Sequence, residues 1–524
     1  MIPQFLWDHA PAMAVAVPLL AAFVCPLVGK YTATGRKAWV LLAAAATSAL
    51  ALFTAWRVYT LGTWVYVFGA TVPGLSVPPD SGGIPIRIIF EVDAMSALMQ
   101  VIVAIVGFSV ILYSLSADGK RSGLEAYYTL FLLLIASIVG MVSTGDLFNF
   151  FVFFEISGLA SAGLVAYRVE AGRAVEAGLK YFVVSTLGGI FMLFVIAILY
   201  GQYNALNIAM LAERMQFTVL DKIALVLIIG ALATKAGAVP MHFWTPDAYA
   251  LAPSSVTALL VVASQASLYG LFRFTFTLYH LSLNAATVGW VLILLGVLSM
   301  FVGVTMAIPQ KDVKRLMAYH AISQTGYMLL GVGTGLAVLG NQGMLDAFGR
   351  MAISGGIFHI INHALYKGLL FLTAGAIIYR VGTRDMNKMG GLGHKMKWTM
   401  IFFMIGALAI AGIPPFNGFA SKLMIYESVY LFNPVLAIIA MVVSILTLAS
   451  FVKVFHSIFM GPQLPEYEHV EEAPAPMLWG MGILAALVIL FGLFPQQVVD
   501  LLITPAANAL LDQSGYIASI LGGA

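Results

Sequence analysis

Long apolar runs alternate with short polar interruptions along nearly the whole chain. A helix that crosses the hydrocarbon core needs about 20 mostly apolar residues. Fourteen segments reach that length, near 12–29, 38–56, 94–115, 124–144, 147–167, 179–200, 223–243, 254–279, 284–308, 313–337, 351–379, 399–430, 434–460 and 477–499. The pattern predicts an all-α polytopic membrane protein with about fourteen transmembrane helices. One stretch departs from the helical period. In 57–93, WVYVFG and IPIRIIFEVD alternate around PGLSVPPDSGG, which predicts a short exterior β-hairpin. Residues 205–215 (ALNIAMLAERM) predict a short interfacial amphipathic helix. Residues 461–476 (GPQLPEYEHVEEAPAP) predict an acidic, proline-rich cytoplasmic loop, most simply a solvated linker.

Composition narrows the class. Of 524 residues, 61% are hydrophobic and 9% charged, against about 45–50% and about 25% in a soluble domain. A mean hydropathy of +0.97 and a net charge of +3 exclude a soluble enzyme, a disordered chain and a nucleic-acid binder. The single cysteine, Cys25, allows no intrachain disulfide, and an iron–sulfur cluster needs about four thiolates. The chain is therefore expected to carry no cofactor, and any electrons to move in other subunits. The start, MIPQFLWDHAPAM, lacks the basic region of a cleavable signal, so the first apolar segment is expected to be retained. Loops after odd-numbered spans hold Lys30, Arg36, Lys37, Lys120, Arg121, Arg168, Arg173, Lys180, Lys311, Lys314, Arg315, Arg380, Arg384, Lys388, Lys395, Lys397 and Lys453. The other side holds only Arg57, Arg87, Arg214, Lys222, Arg273 and Arg350. Cytoplasmic loops are the basic ones, which predicts a multi-pass protein of the cell membrane with both termini outside.

Candidate chemistry lies inside the spans. An ionisable side chain there costs at least about 2.5–3.5 kcal/mol and usually faces a partner or a wet path. Glu155 sits in DLFNFFVFFEISGLAS, Lys235 in IIGALATKAGAVPMHFW, Lys367 in GGIFHIINHALYKGLLF and Lys422 in IAGIPPFNGFASKLMIY. A desolvated lysine readily gives up its proton, so a lysine beside a movable carboxylate can act as a proton switch. A static structural ion pair is the plainer alternative. His359, His363 and Lys367 are spaced i, i+4, i+8 and project from one helix face. Histidine both donates and accepts near neutral pH, so this row reads as a proton wire. Hydrogen-bonded core histidines are the alternative, and no metal site is expected. His320, followed by Ser323, Gln324 and Thr325, extends the polar set as a further relay candidate, with ordinary interhelical hydrogen bonding equally weighted. Gln265 and His242 complete the relay candidates.

Two spans carry breakers at their centres. GALATKAGAVPMHFWTP has Gly237 and Pro240; GALAIAGIPPFNGFASK has Gly412, Pro414, Pro415 and Gly418. Paired broken helices point to an ion site between repeats. The segments echo each other five spans apart, and an odd offset inverts direction. The expected organisation is residues 1–123, helices 1–3 with the hairpin; 124–280, a first inverted repeat of helices 4–8; 281–460, a second repeat of helices 9–13; and 461–524, the loop, helix 14 and tail.

The ordered set DLFNFFVFFE, TKAGAVPMHFWTPDAYALAPSSVTALL, DVKRLMAYHAISQTGYMLLG, FHIINHALYKGLLFLTAGAI and GIPPFNGFASK resembles the proton-translocating antiporter-like subunits of complex I, Mrp antiporters and energy-converting hydrogenases. The resemblance covers about residues 90–460 and is greatest to Mrp D-type subunits and to versions in ferredoxin-linked hydrogenase or sulfur-reducing complexes. It implies that Glu155 pairs with and tunes Lys235, that His359, His363 and Lys367 form the hydrophilic axis, and that Lys422 stands at its end. One position departs: in SSVTALLVVASQASLYGLFR, Gln265 stands where the family usually has a lysine. The implied function is transport of protons, or of sodium against protons. The implied partners are antiporter-like and small Mrp-type membrane subunits, a hydrogenase-like peripheral arm and membrane lipid, with no nucleic acid. Two other readings stay open, a stand-alone cation/proton antiporter and a structural subunit that has lost conduction.

Overall fold

Hydrocarbon offers backbone N–H and C=O groups no partner, so an apolar run that enters it must satisfy them within a helix. The computed structural model describes residues 4–68, 88–117, 123–282 and 284–522, and these are mostly helical. The first helices are α1 (Gln4–Tyr31) and α2 (Ala33–Leu61). Strands β1 (Trp64–Val67) and β2 (Ile89–Val92) follow. Then come α3 (Ala94–Ala117), α4 (Leu124–Ser143), α5 (Leu147–Val165), α6 (Gly172–Tyr203), α7 (Ile208–Arg214), α8 (Val219–Ala236), α9 (Thr245–Leu251) and α10 (Ser254–Arg273). α10 runs on into a π-helical turn, Phe274–Tyr279. The second half holds α11 (Ala285–Ala307), α12 (Val313–Ala337), the single turn α13 (Gln342–Met344), α14 (Arg350–Val381), α15 (Lys397–Ala411), α16 (Asn417–Phe432) and α17 (Pro434–Phe459). The chain closes with α18 (Ala475–Leu493) and the short α19 (Pro495–Val498), α20 (Thr504–Leu511) and α21 (Gln513–Leu521).

Among the described residues, eleven helices are long and apolar enough to cross a membrane. The chain is a multi-pass membrane protein. Three expected spans fall outside that set for physical reasons. α8 is short and carries Asp221, Lys222 and Lys235, α12 has a polar interior around His320, and the span expected over 399–430 is split into α15 and α16. Burial is graded inward. α10 is buried along its whole length, and α14 from Ala352 to Ile377. α1, α6, α11 and α17 instead turn Leu20, Phe194, Leu294 and Ile445 outward, as lipid-facing helices do.

Both breaks are built alike. α8 ends on Gly237 (φ +74°) and α15 on Gly412 (φ +77°), the left-handed conformation that favours glycine. Past each glycine the same bond closes the helix, Ala238 N to Ala233 O in one and Ile413 N to Leu408 O in the other, both 3.0 Å. That is the Schellman arrangement, which satisfies carbonyls a helix end leaves orphaned.

Several expectations change. β1 and β2 pair antiparallel, Val65 opposite Glu91, as the expected hairpin requires, and its turn lies outside the described residues, as do Arg87, Lys120 and Arg121. The helix expected over 205–215 is only α7, and its Ile208, Ala209, Met210 and Leu211 are buried in protein rather than lying in the interface. The last span ends at Leu493, before Pro495. Three residues counted as loop charges are buried: Arg36 bonds Glu125, Arg273 bonds Asp93 at 2.7 Å, and Lys314 bonds the Ala252 carbonyl at 2.5 Å.

α11 and α12 pack through small residues. Gly289, Gly296 and Gly303 recur every seven residues along α11, and a methyl group on any of them meets α12 backbone at Ala337, Gly326 or Ser323. Close approach of this kind replaces the hydrophobic drive that lipid removes. Gly296→Leu should therefore lower stability by about 1–3 kcal/mol through overpacking, read as a lower thermal midpoint of the detergent-solubilised protein. An unchanged midpoint would show that the helices can separate freely.

Candidate functional site

The site starts where α5, α6 and α8 meet. Asp146 caps α5, its carboxylate accepting from Asn149 N at 2.7 Å, and two turns later Glu155 points toward α6. Its carboxylate lies against Gly189, where any side chain would collide with it. Glu155 is half-buried, and its Oε1 has no hydrogen-bond partner. Lys235, in the last turn of α8, is buried. Its ammonium bonds the Phe154 carbonyl and lies over the Phe154 ring at 3.7 Å. Ser185 of α6 and Gly158 of α5 line the same spot. The two charges act on each other electrostatically, yet they form no ion pair within 4.0 Å. The resemblance implied a pair; the structure instead seats the ammonium on the carbonyl of Phe154, the residue before Glu155.

α14 brings the histidines to the centre, but each serves a different neighbour. His359 reaches α16 and α12, with Nδ1 3.0 Å from the Ser421 hydroxyl and Nε2 3.1 Å from Gln324 Oε1. The Tyr366 hydroxyl donates to the same Gln324 oxygen at 3.2 Å. His363 faces α10 instead. The Gln265 amide donates to its Nδ1 at 2.7 Å and to the Ile360 carbonyl at 3.0 Å. Lys367 is fully buried with no hydrogen-bond partner for its ammonium, near the rings of Phe371 (5.4 Å) and Phe451 (5.8 Å). The row predicted on one helix face is present, but its members do not bond each other. His320 of α12 is also fully buried, 2.8 Å from the Ser450 hydroxyl of α17. His242 is half-buried between α8 and α9.

Lys422 sits just past the second break, one residue after Ser421. Its ammonium donates to the Ile410 carbonyl at 2.8 Å and to the Ser444 hydroxyl at 3.0 Å, and lies 4.7 Å from the Tyr327 ring centre. Ser444 in turn donates to the Ala411 carbonyl at 3.0 Å. The carbonyls freed at the end of α15 are thus what holds the buried cation, as expected for positive charge at a helix C-terminus. The first break is satisfied differently: the Trp244 indole donates to Thr234 O at 2.9 Å and Val239 N to the Ser299 hydroxyl at 2.9 Å.

Lys422, Tyr327, Ser421, His359, Gln324, Tyr366, His363 and Gln265 form one neighbourhood. Glu155 and Lys235 form another, and no hydrogen bond joins the two. Sequence reasoning missed Tyr327 and Ser444 as members, since hydroxyls in a span carry too little cost to stand out; Gln324 was named with His320 in the polar set. It also missed the Asp93–Arg273 pair, although Gln265, Tyr269, Arg273 and Thr277 repeat every four residues along α10 and into its π-helical continuation, a legible signal. On the basic-loop side, an open cavity of about 320 Å³ is lined by Tyr113, Arg168, Ser254, Ser255 and Tyr379 at the start of α10.

Comparison with known proteins places this arrangement. Residues 144–447 match the family described as NADH:quinone oxidoreductase/Mrp antiporter, TM, and residues 79–116 match the N-terminus of complex I chain 5. The chain is 33% identical to the D-type subunit of the Na(+)/H(+) antiporter of Alkalihalophilus pseudofirmus over 443 residues, 83% of this chain and 86% of that one. It is 32% identical to the A-type subunit from the same organism over 520 residues, 95% of this chain but only 63% of that longer protein. Two solved structures superpose on nearly the whole chain at 28% identity. One is the Mrp complex of Dietzia sp. DQ12-45-1b (TM-score 0.85, covering 98% of this chain and 100% of that one). The other is the archaeal membrane-bound sulfane sulfur reductase (TM-score 0.84, with the same coverage). The chain belongs to the NADH:quinone oxidoreductase/Mrp antiporter transmembrane family.

Proposed function

We propose that this chain is the ion-translocating membrane subunit of a larger Mrp-like or ferredoxin-linked energy-converting complex, of hydrogenase or sulfur reductase type. It moves protons, with sodium/proton exchange as the variant reading. It lies in the cell membrane with both termini outside and crosses it fourteen times, the split α8/α9 and α15/α16 pairs and the polar α12 joining the eleven apolar spans. Helices 4–8 and 9–13 are two inverted repeats, a reading supported by the matching glycine caps at Gly237 and Gly412.

The observation that carries this reading is the burial of Lys235, Lys367, Lys422, His320, His359 and His363 within one bundle whose outer helices face lipid. Holding such groups is costly without a transport role. Glu155 acts on Lys235 without touching it, so a small movement of α5 against α8 changes how strongly the ammonium is stabilised. With the carboxylate near, Lys235 keeps its proton; with it withdrawn, the proton passes toward the Gln265–His363 and His359–Gln324–Tyr366 groups, then to Lys367 and Lys422. Carrying one charge against the field costs about 2.3 kcal/mol per 100 mV, within reach of a modest redox drop in a neighbouring subunit. The half-buried Glu155, beside outward-facing Leu187 and Ile190 of α6, favours a second membrane protein covering this edge. Antiporter-like and small Mrp-type subunits are the proposed partners.

The alternative of a purely structural role has two observations in its favour. Gln265 cannot titrate, and the Lys235 neighbourhood is not bonded to the central one. In proteoliposomes holding the assembled complex, Lys235→Ala and Glu155→Ala should each abolish proton uptake read by a pH-sensitive dye, with subunit composition unchanged on native gels. Normal uptake in either variant overturns the assigned roles. Gln265→Leu strands His363 and the Ile360 carbonyl, a loss of about 1–3 kcal/mol. Uptake should then fall on the order of tenfold, each tenfold being about 1.4 kcal/mol; an unaffected rate would favour the structural role.

A further inference from the structure

Residues four apart share a helix face, and along α10 and into its π-helical continuation that face is polar: Gln265, Tyr269, Arg273 and Thr277 are all buried. The stripe begins at the central His363 and runs toward the β-hairpin, away from the basic loops. One turn from Gln265, about 6 Å along the axis, the Tyr269 hydroxyl lies 2.8 Å from the Ser96 hydroxyl and donates to Val142 O at 3.1 Å. Arg273 donates to Tyr269 at 3.3 Å, to Ser96 at 3.4 Å, and to Asp93 at 2.7 Å. A lone guanidinium in such a column would repel a passing proton; Asp93 neutralises it.

Two residues before Asp93 lies Glu91, 1% exposed. The exposed Ser519 of α21 donates to its Oε1 at 2.6 Å, and its Oε2 is buried with no hydrogen-bond partner. The charged and titratable groups that face it are Asp93 at the end of the same strand, Arg273 from α10 and Tyr516 from α21; β1 sets apolar Val65 opposite. Neither the hairpin's pairing nor the Arg273–Asp93 bond needs this carboxyl, and its one hydrogen bond to α21 leaves Oε2 unused.

Resting on the function proposed above, we propose that Glu91 is a proton-exchange group at the hairpin-side surface, joined to the Gln265–His363 pair through Asp93, Arg273, Ser96 and Tyr269. Its carboxyl releases a proton to the aqueous side past Ser519, and the resulting carboxylate takes the next proton from this column. Burial pushes the Glu91 carboxyl up to about 8, opposed by the Ser519 bond, raised further by Asp93 and opposed again by Arg273. It therefore holds its proton at neutral pH and loses it as the pH rises through about 8, the range in which an exchange group is useful.

The test uses the assembled complex in proteoliposomes. Glu91→Gln keeps the shape and hydrogen bonding but cannot ionise, so proton uptake should fall on the order of tenfold while subunit composition stays intact. Infrared titration of the wild-type complex should show a protonated carboxyl band vanishing near pH 8, absent from E91Q. Should E91Q not assemble, Ser519→Ala at an exposed position serves instead: removing the donor to the carboxylate moves that midpoint upward. Wild-type uptake in E91Q, or an unmoved midpoint in S519A, overturns the role of Glu91. If Lys235→Ala abolishes uptake while E91Q does not, only this inference fails; a wild-type complex that moves no protons overturns both.

Discussion

Three of the buried ammonium groups in this bundle, Lys235, Lys314 and Lys422, are held by backbone carbonyls, whereas the Lys367 ammonium has no hydrogen-bond partner. Lys422 takes the last turn of α15 and Lys314 the end of α9 through Ala252. Lys235 takes the Phe154 carbonyl on α5. The second helix break and the buried Lys422 are therefore one device. A continuous helix keeps its carbonyls for itself, and an apolar bundle offers a cation little else. The glycine that stops α15 does more than interrupt a span: it sets where the Lys422 charge resides.

The same economy explains why the polar groups form small clusters rather than an unbroken wire. Each histidine is held by a neighbour on a different helix, His359 by α12 and α16, His363 by α10, His320 by α17. Such bonds fix the side chains but leave steps between clusters, most clearly between Lys235 and Gln265. Transfer across such steps depends on relative movement of helices, which suits a protein driven by its neighbours better than one working alone. Glu155, half-buried at the edge of the bundle with an unpartnered oxygen, is where a neighbour's influence would enter.

Much of this was legible beforehand because the cost of burial is written in residue types. An ionisable group inside twenty apolar residues is conspicuous, and Glu155, Lys235, Lys367 and Lys422 stood out for that reason. Loop charges were less legible. Arg273, Arg36 and Lys314 follow apolar runs and read as solvated ends, but each is buried because a partner from a distant segment, Asp93, Glu125 or Ala252, comes to meet it. α7 misled in the opposite sense. Its amphipathic period is real, but protein rather than lipid headgroups covers its apolar face.

By itself the sequence determined the helices, the two breaks and the short set of ionisable residues placed within the spans. These follow from local physics: hydropathy over one span, the backbone freedom of glycine, and the desolvation cost of a charge. Tertiary structure alone decided who faces whom. It set the Lys235 ammonium on the Phe154 carbonyl, gave Gln265 to His363, and built the Arg273–Asp93–Glu91 cluster under the hairpin. Those partners lie far apart in the chain, and no local pattern specifies the packing that brings them within hydrogen-bonding distance.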